Sequence, residues 1–167
     1  MSQTVVQEQA AVRAGLKGDS SVSVVDSFAG EVAIPFGRFV VRGTKPTKQC
    51  KLPGAAADIT DAKKNLGVAI STATVEVPMN STAPAQYPIN RTIPVMNFGR
   101  VWVETEDAAT DTTKDVYVRH TASGANTKLG VFSAAAGAGL EKLENARWLG
   151  EDIMDGNNRL ALLEVRF

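Results

Sequence analysis

The chain has 167 residues, 44% of them hydrophobic and 22% charged, and Lys plus Arg balance Asp plus Glu at 18 each for a formal net charge of zero. This length fits one domain or two small packed ones, and folding buries roughly 68–70% of the unfolded chain's surface. The even charge and the absence of a run of like charges argue against a nucleic-acid partner, and no stretch reads as a membrane-spanning helix of about eighteen or more apolar residues.

Residues 1–20 read as an N-terminal arm. Val5, Val12 and Leu16 share a helical face, but Gly15 and Gly18 stop any helix within one or two turns, and so short a helix is marginal alone in water. The arm therefore needs another surface to order it. Met1–Gly18 lacks the basic start and apolar middle of a secretory signal. Cys50 is the sole cysteine and excludes an intrachain disulfide. Both features lead to the expectation of a reducing cytoplasm as the place of synthesis.

Residues 21–167 read as a β-rich domain, with a division into two packed sub-sheets expected near residues 78–94. From Val22 the apolar period becomes two, and Val32–Arg42 is expected to form the first long strand. Phe36, Arg38, Val40 and Arg42 then share one face and Phe39 and Val41 the other. Lys45–Asn65 is a breaker-rich connection with room for one short helix over Ala56–Lys64. Leu66–Thr74 gives a further strand, followed by a stretch punctuated by Pro78, Pro84, Pro88 and Pro94.

Asn97-Phe98-Gly99-Arg100-Val101-Trp102-Val103-Glu104 echoes the earlier Phe36-Gly37-Arg38 run, each copy placing a glycine where a regular strand wants a side chain. Trp102 falls among charged neighbours and is expected to be only partly covered by its own domain. Asp115–His120 and Leu129–Ala134 read as short strands. Glu141–Gly150 has helical propensity. Yet the turn signal Asp155-Gly156-Asn157-Asn158, with alternation through Arg159–Phe167, argues for a closing hairpin. At least seven short strands without a long amphipathic helix define the expected class. It is all-β, an antiparallel β-barrel or β-sandwich with an extended N-terminal arm and at most one or two short helices.

Catalytic patterns are missing. One histidine, His120, and one cysteine cannot supply a zinc site of His and Cys ligands, and no Gly-x-Ser-x-Gly elbow accompanies His120. The carboxylates of Asp107 and Asp111, or Asp152 and Asp155, lie in polar turn-like segments where Asp serves the backbone. Neither a phosphate-binding loop nor a dinucleotide fingerprint occurs. The expectation is a protein with no catalytic residues, no cofactor and no metal.

The order of the pieces resembles the structural cement, or capsid decoration, proteins of tailed bacteriophages. The resemblance is carried by Ala14-Gly15-Leu16, Ile34–Gly43, Leu66-Gly67-Val68-Ala69 and Ile93-Pro94-Val95 with Gly99–Val103. It continues through Asp115–Arg119, Gly130-Val131-Phe132 and Ala146-Arg147-Trp148. It implies a noncatalytic virion protein, often a homotrimer, on the outer surface of an HK97-type capsid, tying major capsid protein subunits together. No nucleic acid or membrane partner is implied.

In that role Val5, Val6, Val12 and Leu16 of the arm become candidates for capsid contact. Arg38, Arg100 and Trp102 become candidates for contact between subunits. A tail-tube or other tail component and a carbohydrate-binding β-sandwich are the alternatives, the second poorly served by two Trp and two Tyr.

Overall fold

The computed structural model describes residues 12–73, 75, 85–109, 111–155 and 158–167. Its strands are β1 (Val24–Gly30), β2 (Ile34–Pro35), β3 (Phe39–Arg42), β4 (Gln49–Lys51), β5 (Asn65–Ala69), β6 (Gln86–Tyr87), β7 (Thr92–Thr105), β8 (Tyr117–Arg119), β9 (Phe132–Ser133), β10 (Leu140–Lys142), β11 (Ala146–Asp155) and β12 (Asn158–Arg166). A single-turn helix, α1 (Ala57–Thr60), lies in the breaker-rich connection.

β7 is the spine, 14 residues long and hydrogen-bonded to β1, β5, β9 and β12. The circuit β1–β4–β3–β5–β7 returns to β1 and so closes a small barrel, which removes most of the edges an open sheet would expose. Pro94 fits inside β7 because it faces Ser27 in the ladder and gives only its carbonyl, which accepts from Ile70 N–H at 3.0 Å. The second half of β7 pairs with β12 from Phe98↔Arg166 to Thr105↔Arg159, and β11 pairs with β12. β9, β8 and β10 continue the sheet, and β2 with β6 forms a separate ribbon.

The fold is the expected all-β barrel-like architecture. Two short contacts are parallel, β1 with β4 at Ala29↔Gln49 and Gly30↔Cys50, and β7 with β9 at Thr105↔Phe132.

The expected single strand over Val32–Arg42 is broken. Gly37 adopts φ of 71° and its backbone lies against the arm, so that an added Cβ would stand 2.9 Å from Gly15 N. The echo at Gly99 does not break the chain, and β7 runs through it. The face reading of β3 also changes, since both faces are covered. Phe39 and Val41 enter a core with Met96, Phe132, Trp148 and Leu163, and Val40 enters a second with Ile34, Phe36, Tyr87 and Ile93. Residues 141–150 fall in β10, β11 and their link, where Trp148 is buried and its Nε1 donates to Asp115 O at 3.2 Å.

Candidate functional site

The arm from Val12 to Gly18 is built into the barrel wall. Gly15 N–H donates to Trp102 O at 2.7 Å, Trp102 N–H to Leu16 O at 2.8 Å and Gly18 N–H to Arg100 O at 2.8 Å. On its other side Ser71 N–H donates to Gly15 O at 2.8 Å. Glycine is required at 15 because an added Cβ would lie 2.7 Å from Ser71 N. One turn is present, with Leu16 N–H on Arg13 O, and beyond it Lys17 bridges Val101 as a strand would.

Trp102 is therefore not half-exposed, as its charged neighbours suggested. It is 7% exposed, clustered with Leu160 and Leu162 and covered by Val12, Ala14, Leu16 and Leu149. The face that looked free in sequence is taken by the chain's own arm. Val12 and Leu16 accordingly spend much of their apolar surface within the domain, while Val5 and Val6 lie outside the described residues.

Arg38 is also inside, at 3% exposure. Its Nη2 donates to Glu104 Oε2 at 2.8 Å and its Nη1 to Leu129 O at 3.2 Å. Burial pulls its pKa below the ordinary guanidinium value, with the Glu104 charge opposing that shift. Glu104 is shared with Lys128, and neighbouring Glu106 is held by Arg119. These pairs border an open cavity of about 330 Å³, which Met154 and Arg159 also line. Its carboxylates are already neutralised. The cavity therefore has little free charge for acid and base chemistry.

Of the three residues expected at subunit contacts, only Arg100 reaches solvent substantially, with its side chain 40% exposed. It pairs with Asp19 Oδ2 at 2.7 Å and stands 3.7 Å from Glu164 Oε1. Glu164 also receives Arg147 and Arg166 at 2.5 and 2.8 Å, so three guanidiniums surround one carboxylate. Burial would raise the Glu164 pKa, but the hydrogen bonds and charges of Arg147 and Arg166 outweigh it and hold the group below its usual range.

Sequence reasoning missed an apolar patch at the start of β1. Val22, Val24 and Phe98 are 79%, 47% and 40% exposed, with Val24 facing Phe98 in the ladder, and Val25, 38% exposed, points to the opposite face of the strand. The available signal was the valine and serine alternation from Ser20 to Val25, whose apolar side has no evident partner within the domain. A second exposed apolar pair, Ile153 and Met154, lies near the end of β11. Among the described residues no group of three or more His, Cys, Asp or Glu is placed to hold a metal ion. Cys50 is buried, and desolvation followed by the Glu31 charge pushes its thiol up to about 12.

The barrel is closed, the arm lies along its longest strand, and apolar residues remain exposed at the start of β1. The family model described as structural cement protein (E217 gp24/Pam3 gp6) matches residues 1–166, and the chain belongs to that family. It is a structural protein of the phage virion, associated with the capsid. A chain in the solved structure "The capsid of Myoviridae Phage XM1" has the same fold, with a TM-score of 0.69 and 22% identity over 99% of this chain and 97% of that one. No curated protein matches the sequence.

Proposed function

We propose that the chain is a noncatalytic cement that sits on the outer surface of an HK97-type shell, after synthesis in the host cytoplasm, and bridges neighbouring major capsid protein subunits as a homotrimer. The observation that carries this reading is the family match over residues 1–166. A cement needs no chemistry, only moderate contacts repeated over a symmetric lattice, where tethering multiplies affinity. Closed symmetric oligomers are the usual result of repeated self-contact.

In this reading residues 1–20 form the arm and residues 21–167 the β-rich body. Val12 and Leu16 anchor the arm, and Val5 and Val6 carry it to a neighbouring surface, where their burial offsets the entropy of ordering. Arg100, with Arg147 and Arg166 beside it, is the polar contact candidate that solvent reaches. Arg38 and Trp102 serve it indirectly, by fixing the barrel and the arm.

The test is deletion of residues 2–11, which spares every arm hydrogen bond given above. The truncated protein keeps its melting temperature in solution but occupies bare shells less than the full chain does. Full occupancy by the truncated protein would remove the arm from the mechanism.

A further inference from the structure

β1 leaves part of one edge open. Ala29 N–H donates to Lys48 O at 2.8 Å and Glu31 N–H to Cys50 O at 2.9 Å, whereas Gly30 N–H turns the opposite way, to Arg91 O at 3.1 Å. The backbone groups of alternate strand residues face opposite edges. Val25 and Ser27 therefore present N–H and C=O on the same side as Ala29. β4 covers that side only at Ala29 and Gly30, and among the described residues no backbone pairing reaches it from Val25 to Ser27.

Natural sheets shield such edges with charges, prolines or covering segments. Here the residues from Val24 to Ser27 are all exposed, the apolar patch of Val22, Val24 and Phe98 adjoins them, and the one charge is Asp26, whose Oδ2 accepts from Asn97 Nδ2 at 2.7 Å. Two outward backbone pairs with apolar side chains alongside form a template for an added strand.

We propose that, on the assembled shell, residues 3–8 of one copy add as a strand to the open edge of β1 in a neighbouring copy. This rests on the cement reading and specifies where the arm goes. Gln3-Thr4-Val5-Val6-Gln7-Glu8 contains three adjoining β-branched residues, no glycine or proline and one charge, a composition that favours strands. Its six residues match the length of Val22–Ser27.

The fixed part of the arm points to a neighbour in preference to the same copy. From Gly18 beside Arg100 to Gly15 beside Trp102 the chain runs towards the Glu104 end of β7, and Arg13 and Ala14 line a cavity with Glu104 and Leu160. β1 instead meets β7 between Phe98 and Thr92. Returning from Glu104 to Phe98 covers about 20 Å at strand rise. The seven steps from Val12 back to Val5 reach at most about 25 Å. A copy's own Val5 would arrive stretched, with no residues left for the reversal that pairing requires. A neighbour's edge imposes no reversal.

The experiment decorates bare shells with an equimolar mixture of the Val5→Cys and Ser27→Cys variants and applies a short thiol–thiol crosslinker. Buried Cys50, with its thiol pushed up to about 12, stays silent. The expected result is a two-chain product from the mixture, much weaker with either variant alone. Amide exchange at Val25 and Ser27 should also slow at least about tenfold on the shell. A product from Ser27→Cys alone would mean that edges meet each other, and would overturn the proposal. So would an intrachain link in the Val5→Cys/Ser27→Cys double variant diluted among unmodified copies. Absence of any link with unchanged exchange would overturn it too, leaving the cement reading intact if occupancy is normal. Failure of the unmodified protein to occupy shells would instead refute the cement reading.

Discussion

Replacing Trp102 with alanine tests whether this side chain is the clamp that fastens the arm. Trp102 is 7% exposed and sits between Leu160 and Leu162 below and Val12, Ala14 and Leu16 above. Truncating a buried aromatic costs about 3–5 kcal/mol. In a domain of this size that lowers the melting temperature by about 6–20 °C. The residual cavity lies under the arm, so the loss should be uneven. The Gly15 and Gly18 amides, bonded to Trp102 O and Arg100 O, should exchange far faster than amides in the Phe132 and Leu163 core. Trp148, 1% exposed, becomes the sole tryptophan and reports global unfolding by fluorescence. Leu16→Ala should cost less, since Leu16 is only half-buried. A Trp102→Ala protein that loses under about 1 kcal/mol and keeps its arm amides protected would refute the clamp.

Three further outcomes follow from the same geometry. Gly37→Ala forces a side chain into φ of 71° and towards Gly15 N; it should cost at least about 1–2 kcal/mol by urea titration and loosen the arm amides as well. Glu104→Ala strands the buried Arg38, whose Nε has no partner among the described residues, and should cost about 3–5 kcal/mol. Arg38→Met should cost less because Lys128 still neutralises Glu104, an ordering that paired urea midpoints can check. Glu164 has an ordinary value of 4.5 and is held below it in the fold, so its contribution is complete above pH 4.5 and disappears as pH falls through the folded value. Glu164→Gln should therefore flatten the acid side of the stability profile, and an unchanged acid slope would exclude this pair from acid unfolding.

Local pattern carried the class of the fold. Period-two runs, a glycine or proline at many of the breaks and one short helix-compatible stretch correspond to the strands and to α1, and the closing hairpin was legible from the turn signal after Met154. What failed was the second layer. Phe36 and Val40 read only as sharing a strand face with Arg38 and Arg42, because nothing in their own segment announces the β2–β6 ribbon and the arm that pack on them. Trp102 read as an exposed anchor for the same reason: its cover comes from Val12 to Leu16, more than eighty residues earlier in the chain. The Arg38–Glu104 pair joins residues 66 apart. Charge in the sequence signalled surface, whereas in the barrel it is neutralised and buried.

The Phe-Gly-Arg echo divided in the same way. At Gly37 the chain turns to meet the arm, and Arg38 goes inside; at Gly99 the strand continues, and Arg100 stays in solvent. The functional class rested on a resemblance carried by segments from about residue 14 to the end of the chain, and the family match over residues 1–166 agrees with it. The open edge of β1 could not be recognised before the barrel closed elsewhere and left it over.

The central claim is that this chain reinforces a shell. Matched particles with and without it, compared by the temperature at which they release their DNA in low salt, test that directly. The account predicts release at a distinctly lower temperature from undecorated particles, restored by adding back the full chain. Equal release temperatures for bare and fully decorated particles would contradict it.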